Sequence, residues 1–164
     1  MALDDMFLKI EGSRQGPING GSVDVKHKDE IDILSWSWGM QGNANAFQTG
    51  TSRTTLDELV VSKKVDGAST GLMSAIRNNE SIKRATLTVR KAGGTEPVEY
   101  LRIVLEQARI TSLKLHSGGA GDGPAISEQV GIGFQKIRVE YQPQGSSGGS
   151  RGASTFEADV GSNT

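Results

Sequence analysis

Three groups of residues in this 164-residue chain have types and spacings that could do chemistry. The first is Gly67-Ala68-Ser69-Thr70-Gly71, a G-x-S-x-G run. Between a strand and a helix such a run can form a nucleophile elbow, with the serine held on a tight turn for attack. Attack needs an imidazole base, and the histidine downstream is His116. No aspartate separates the two, which leaves Glu80, Glu96, Glu99 or Glu106 as the orienting acid. The elbow belongs to a large α/β sheet with several crossover helices, so Ser69 as a plain helix N-cap explains the same residues. The second group is His27 among Asp24, Asp29 and Glu30. One imidazole with hard oxygen ligands and no second histidine nearby makes a weak metal set, and a solvated charged loop accounts for it. The third, GGAGDG at 118–123, misses the G-x-G-x-x-G spacing and precedes a strand. Without a helix N-terminus it offers no phosphate cradle. The residues therefore point to no catalytic constellation, no cofactor and no metal.

The elements that would position these groups read mostly as strands. Ala85, Leu87 and Val89 alternate with Thr86, Thr88 and Arg90, the pattern of a half-buried strand. Gly93-Gly94 and Pro97 make a turn, and a returning strand places Leu101, Ile103 and Leu105 on one face. Apolar parity then shifts to Ala108 and Ile110 and back to Leu113 and Leu115. Two shifts in one long strand predict bulges or bends, which curl a sheet into a barrel. Met6–Ile10 reads as a first strand, and Val23-Asp24-Val25 is consistent with a short one. In 31–38, Leu34, Trp36 and Trp38 share one parity while Ser35 and Ser37 face the other way. The tryptophans read as core, with Leu87, Val89, Leu101 and Ile103, and each indole N–H needs an acceptor. An exposed aromatic pair for stacking on sugar is the sharper alternative. Gln41–Thr55 is a long polar connection without period, the kind that carries contacts.

Leu56–Val65 reads as a strand, and Ser69–Asn79 is the one predicted helix, with Leu72, Met73, Ala75 and Ile76 as its apolar stripe. Ser117–Pro124 is a glycine-rich loop. Val130, Ile132 and Phe134, then Ile137, Val139 and Tyr141, form a hairpin-like region with a bulge or tight turn near Gln135-Lys136. Residues 143–164 are dominated by Gly and Ser and predict a flexible tail, leaving 1–142 as a single domain. The fold class is mainly β: a barrel of two packed antiparallel sheets with one short flanking α-helix.

Composition narrows the function. Eighteen basic and 19 acidic side chains lack the basic excess of a nucleic-acid binder. No apolar stretch is long enough to insert in a membrane, and MALDDMFLKIEG does not read as a secretory signal, so synthesis in the cytosol is expected. The chain has no cysteine, hence no disulfides or thiolate sites. Its 22 glycines, about twice the usual share of ~7%, favour turns and bulges. Such a domain works through surfaces, and a solitary β-barrel module binding carbohydrate or protein is one reading.

Longer strings carry a second reading. TLTVRKAGG (86–94) followed by PVEYL (97–101) resembles the Hcp family, the tube protein of bacterial type VI secretion systems. EIDILSWSWGM (30–40), IRVEYQPQ (137–144) and DMFLKIEG (5–12) agree, in the family's order. The resemblance implies a structural subunit, not an enzyme: homohexameric rings stacked into an inner tube, tipped by a spike protein and propelled by sheath proteins. It also implies export from the bacterial cytoplasm without a signal peptide, with small secreted effectors carried in the lumen. Carried onto this chain, it implies Trp36 and Trp38 in the barrel core and Ser35 and Ser37 on the lumen wall. The 41–55 loop would reach the neighbouring ring, with Asn43, Asn45, Phe47 and Arg53 as contacts.

Overall fold

The computed structural model of the chain describes residues 4–42, 54–91, 98–117, 126–143 and 153–160. In chain order its elements are strands β1 (Asp4–Gly12), β2 (Gly16–Pro17), β3 (Ile31–Asp32), β4 (Ser35–Ser37), β5 (Met40–Gln41), β6 (Thr55–Leu56) and β7 (Leu59–Lys64). Helix α1 (Ser69–Arg77) follows, then β8 (Ile82–Lys91), β9 (Glu99–Ser117), β10 (Ile126–Gly133), β11 (Lys136–Tyr141) and β12 (Ser154–Asp159). The fold is mainly β. A first antiparallel sheet runs β2-β1-β8-β9-β11-β12, with β3 against β1. A second runs β9-β10-β7-β4, and β5-β6 form a separate pair.

β9 belongs to both sheets because it bends. Leu105 and Ala108 are both buried, so the two residues between them, Glu106 and Gln107, lie on the other side. Gln107 has φ 50°, the left-handed region that turns the strand. Strand β8 makes the same step, with Ile82 and Ala85 buried around exposed Lys83 and Arg84. Register therefore continues from Arg84↔Glu106 to Ile82↔Ala108. A register slip falls at Thr111, where Gly131 pairs with Ser112 and Ile132 with Ile110. These two irregularities sit where the apolar parity changes.

Strands β10 and β11 both run antiparallel to β9, one against its second half and one against its first. They are successive parts of one bent strand, so the hairpin-like reading of this region is corrected. The break at Phe134-Gln135 faces the β9 bend, and the Gln135 amide reaches the Gln107 carbonyl at 3.2 Å. At the other edge, 31–37 joins the sheets again. β3 pairs with β1, β4 pairs with β7, and between them Ile33 N–H bonds Met6 O while Leu34 N–H bonds Ser62 O. Strands thus pass round a common core as in a barrel, with single backbone bonds rather than a full ladder at that seam. Leu8, Ile10, Leu87, Ile103 and Leu105 from the first sheet meet Leu59, Val61, Val130 and Ile132 from the second.

Helix α1 adds Leu72 and Ala75 to that core, while Met73 is 37% exposed, outside the expected stripe. Its N-cap is Ala68, not Ser69 or Thr70. The C-terminus is closed by Asn79 at φ 50°, with Asn79 N–H on Ile76 O and Glu80 N–H on Ala75 O. Two further expectations are corrected. Val23 and Val25 are not in a strand and are more than 90% exposed. Within the expected tail, Ser154–Asp159 pairs along six residues with β11, because backbone donors and acceptors extend a ladder whatever the side chains. The turn residues Gly93, Gly94 and Pro97 lie outside the described residues.

Candidate functional site

Residues directly opposite on neighbouring strands point to the same face, so the pairings of the second sheet define rows. Trp36, Val61, Val130 and Leu113 form an inner row against the core. Ser35 and Ser37 flank Trp36 on the outer face, and both are exposed. Ser37, Val60, Gly131 and Ser112 make one outer row; Ser35, Ser62, Gln129 and Lys114 make the next. Lys64, Ser127 and His116 make a third. Serine hydroxyls make up nearly half of this surface, with Gln129, His116, Lys64 and Lys114 among them, and half-buried Val60 is the one apolar side chain in these rows. Gly131 keeps its centre low: a Cβ there would lie 2.5 Å from Ser112 Oγ and 3.1 Å from Glu58 Oε2.

Beneath this face the strands are locked by charge. Lys63 and Glu128 are cross-strand partners with no solvent exposure, Nζ to Oε1 at 3.3 Å. Lys63 Nζ also reaches Asp66 Oδ1 at 2.9 Å and Ser69 Oγ at 3.2 Å, tying β7 and β10 to the start of α1. Ser69 Oγ accepts a second bond from Asp66 N–H at 3.0 Å. His116 sits in the outer row of the same sheet, so Ser69 and His116 lie on opposite sides of it and make no nucleophile–base pair.

Trp36 and Trp38 are half-buried and packed on the core, and Trp38 Nε1 donates to Asp57 O at 2.8 Å. Leu87, Val89 and Ile103 are at most 2% exposed, and Leu101 is half-buried beside them. Leu34 is 52% exposed and parts company with the tryptophans. Asn43, Asn45, Phe47 and Arg53 lie outside the described residues. The ends of their loop are held together, since Met40 pairs with Leu56 and Gln41 with Thr55.

The outer face of the first sheet is different in kind. One row, Glu11–Arg84–Glu106–Lys136–Asp159, alternates in sign across five strands. Its cations have carboxylate neighbours, as do those of adjoining rows: Arg102 Nη2 to Glu99 Oε2 at 3.0 Å, Arg138 Nε to Glu140 Oε1 at 2.8 Å. At one end the loop 18–30 folds over this face. His27 is buried, stacked on Phe7 with ring centroids 4.4 Å apart, its Nδ1 2.9 Å from Glu30 and Nε2 2.7 Å from Glu99. Arg90 lies over Phe7 and pairs with Asp5 and Asp24. The Arg90 hydrogen bond holds the Asp24 carboxyl below its ordinary value. The solvated-loop reading of His27 is therefore corrected: it is a clasp between loop and sheet. Among the described residues no three His, Asp or Glu side chains converge as metal ligands.

Comparison with known proteins gives the family. A model of the family described as "Type VI secretion system effector, Hcp" matches residues 7–141. The chain is 36% identical over 151 residues to Protein hcp1 of Pseudomonas aeruginosa, covering 90% of this chain and 89% of that protein. The crystal structure of Hcp1 from Salmonella typhimurium superposes with a TM-score of 0.73 at 32% identity, over 97% of this chain and 96% of that one. A type VI secretion system effector from Yersinia pestis gives 0.72 at 28%, over 95% and 100%. The chain belongs to the Hcp family, and it is a structural tube protein of type VI secretion, not an enzyme.

The sequence alone reached Ser35 and Ser37 through strand parity. It missed Ser62, Lys64, Ser112, Lys114, Ser127 and Gln129 on the same face, because which residues share a row depends on register between strands distant in the chain.

Proposed function

We propose that six copies close into a ring with the outer face of the second sheet turned to the lumen, and that rings stack into the inner tube. The observation that carries this reading is the continuous, mainly polar face around Ser35 and Ser37, with serines in every row. A wall of small hydroxyls without exposed aromatics holds a passing cargo by many weak contacts and by none strong enough to trap it. The tube is tipped by a spike protein and driven by sheath proteins, and the chain leaves the bacterial cytoplasm through that apparatus rather than by a signal peptide. The 41–55 loop, its base clamped by β5 and β6, extends toward the neighbouring ring, with Asn43, Asn45, Phe47 and Arg53 as contacts.

The test is Ser37→Trp, which adds an indole to an exposed position without touching the core. The ring should still assemble, while co-purification of a small effector with it should fall. Unchanged co-purification, with the ring intact, contradicts the lumen assignment.

A further inference from the structure

The two outer faces differ in how their charges are settled. On the first sheet, cations and carboxylates alternate across the strands and the arginines Arg84, Arg102 and Arg138 are paired. On the second, Lys64 and Lys114 stand exposed with no carboxylate partner among the described residues. They occupy adjacent rows, Lys64 beside Ser127 and His116, Lys114 beside Gln129. The three rows around Ser35 and Ser37 contain no acid. Glu58, which stands by Gly131 at the other end of the face, accepts the Thr111 hydroxyl at 2.8 Å. Unpaired positive charge is thus concentrated at one end of an otherwise neutral hydroxyl surface.

We infer that this face selects acidic protein cargo through Lys64 and Lys114. The inference rests on the lumen reading above and names the class of molecule the lumen takes. In a ring of six the pair becomes twelve lysines around one cavity, and low-dielectric walls focus such a field toward the axis. The rows hold no arginine and no tyrosine, tryptophan or phenylalanine, the side chains that clamp phosphates in a fork and stack on bases. An acidic protein surface therefore fits better than a nucleic acid. Lysine on a flexible stem suits varied carboxylate patterns, as a carrier of more than one effector requires.

The assembled protein is titrated with fluorescein-labelled oligoglutamate, oligolysine and oligothymidylate, and anisotropy is followed at low salt. Oligoglutamate should bind, oligolysine should not, and Lys64→Gln/Lys114→Gln should weaken oligoglutamate about tenfold or more. If that variant does not assemble, added salt on the unaltered protein applies the same test, since screening must weaken the complex. No binding of oligoglutamate, binding unaffected by both the variant and salt, or tighter binding of oligothymidylate overturns the inference. The lumen reading is checked separately by Ser37→Cys, a lone thiol in a cysteine-free chain. In the ring a small maleimide should label it and a bulky polyethylene-glycol maleimide should not. Equal labelling by both removes the lumen while leaving the charge preference to stand or fall on the peptides.

Discussion

Lys63→Met removes a cation that has no solvent access from its charge network, and its cost follows from the neighbours left behind. Asp66 is 19% exposed at its side chain and keeps its bond from Ala68 N–H, so it can turn to water. Ser69 Oγ keeps the Asp66 amide. Glu128 has no such recourse: Oε1 loses its partner, and Oε2 has none to begin with. An uncompensated buried carboxylate of this kind costs about 3–5 kcal/mol. For a domain of this length that is a fall in melting temperature of roughly 6–20 °C. Removing both charges with side chains of similar volume, Lys63→Met/Glu128→Leu, should recover stability to within about 1 kcal/mol of the unaltered protein or exceed it. The assay is denaturant unfolding of both single variants and the double at one protomer concentration, because assembly adds to apparent stability. The reasoning fails if Lys63→Met costs less than about 1 kcal/mol, or if the double variant loses the sum of the singles.

Three further outcomes are expected. Burial opposes ionisation of Glu80, but bonds from the Gln15 amide, the Gln15 side chain and the Arg14 amide outweigh it and hold the carboxyl below its ordinary 4.5. Its contribution is therefore complete above that value and lost as pH falls through the depressed folded value; Glu80→Gln should flatten the acid limb of a melting-temperature profile. Gly20→Ala should destabilise by about 1–3 kcal/mol in thermal melts, since the new Cβ would lie 2.7 Å from Ile31 Cα and 2.8 Å from Glu30 O, backbone that cannot step aside. Deleting 153–164 should lower the melting temperature by less than about 4 °C, because β12 is exposed apart from half-buried Ala158. A larger fall would show that the strand is buried in the assembly.

Alternation and parity made much of this fold legible. The bend and the slip in β9 were visible because apolar residues stop alternating at Gln107 and Thr111, and a buried face cannot tolerate that without an irregularity. Ser35 and Ser37 were legible for the same reason. Burial of charge was not: Lys63 and Lys64 are adjacent lysines in the sequence, one sealed against Glu128 and one exposed, and only the pairing of β7 with β10 separates them. The clasp was hidden as well, since Phe7 is buried on the non-core face by His27, from a loop twenty residues away. A Gly- and Ser-rich segment argued for a free tail, yet a ladder draws on the backbone, and β12 pairs regardless of its composition.

The central claim, that this chain builds the ring of a secretion tube, is tested most directly by its absolute mass in solution, with images of the same fraction. Six copies of a 17.4 kDa chain weigh about 104 kDa. Light scattering at that mass, with ring-shaped particles open at the centre, is the predicted result. A monomer near 17.4 kDa even at high concentration would contradict it, and the lumen and the stacking loop would fall with it.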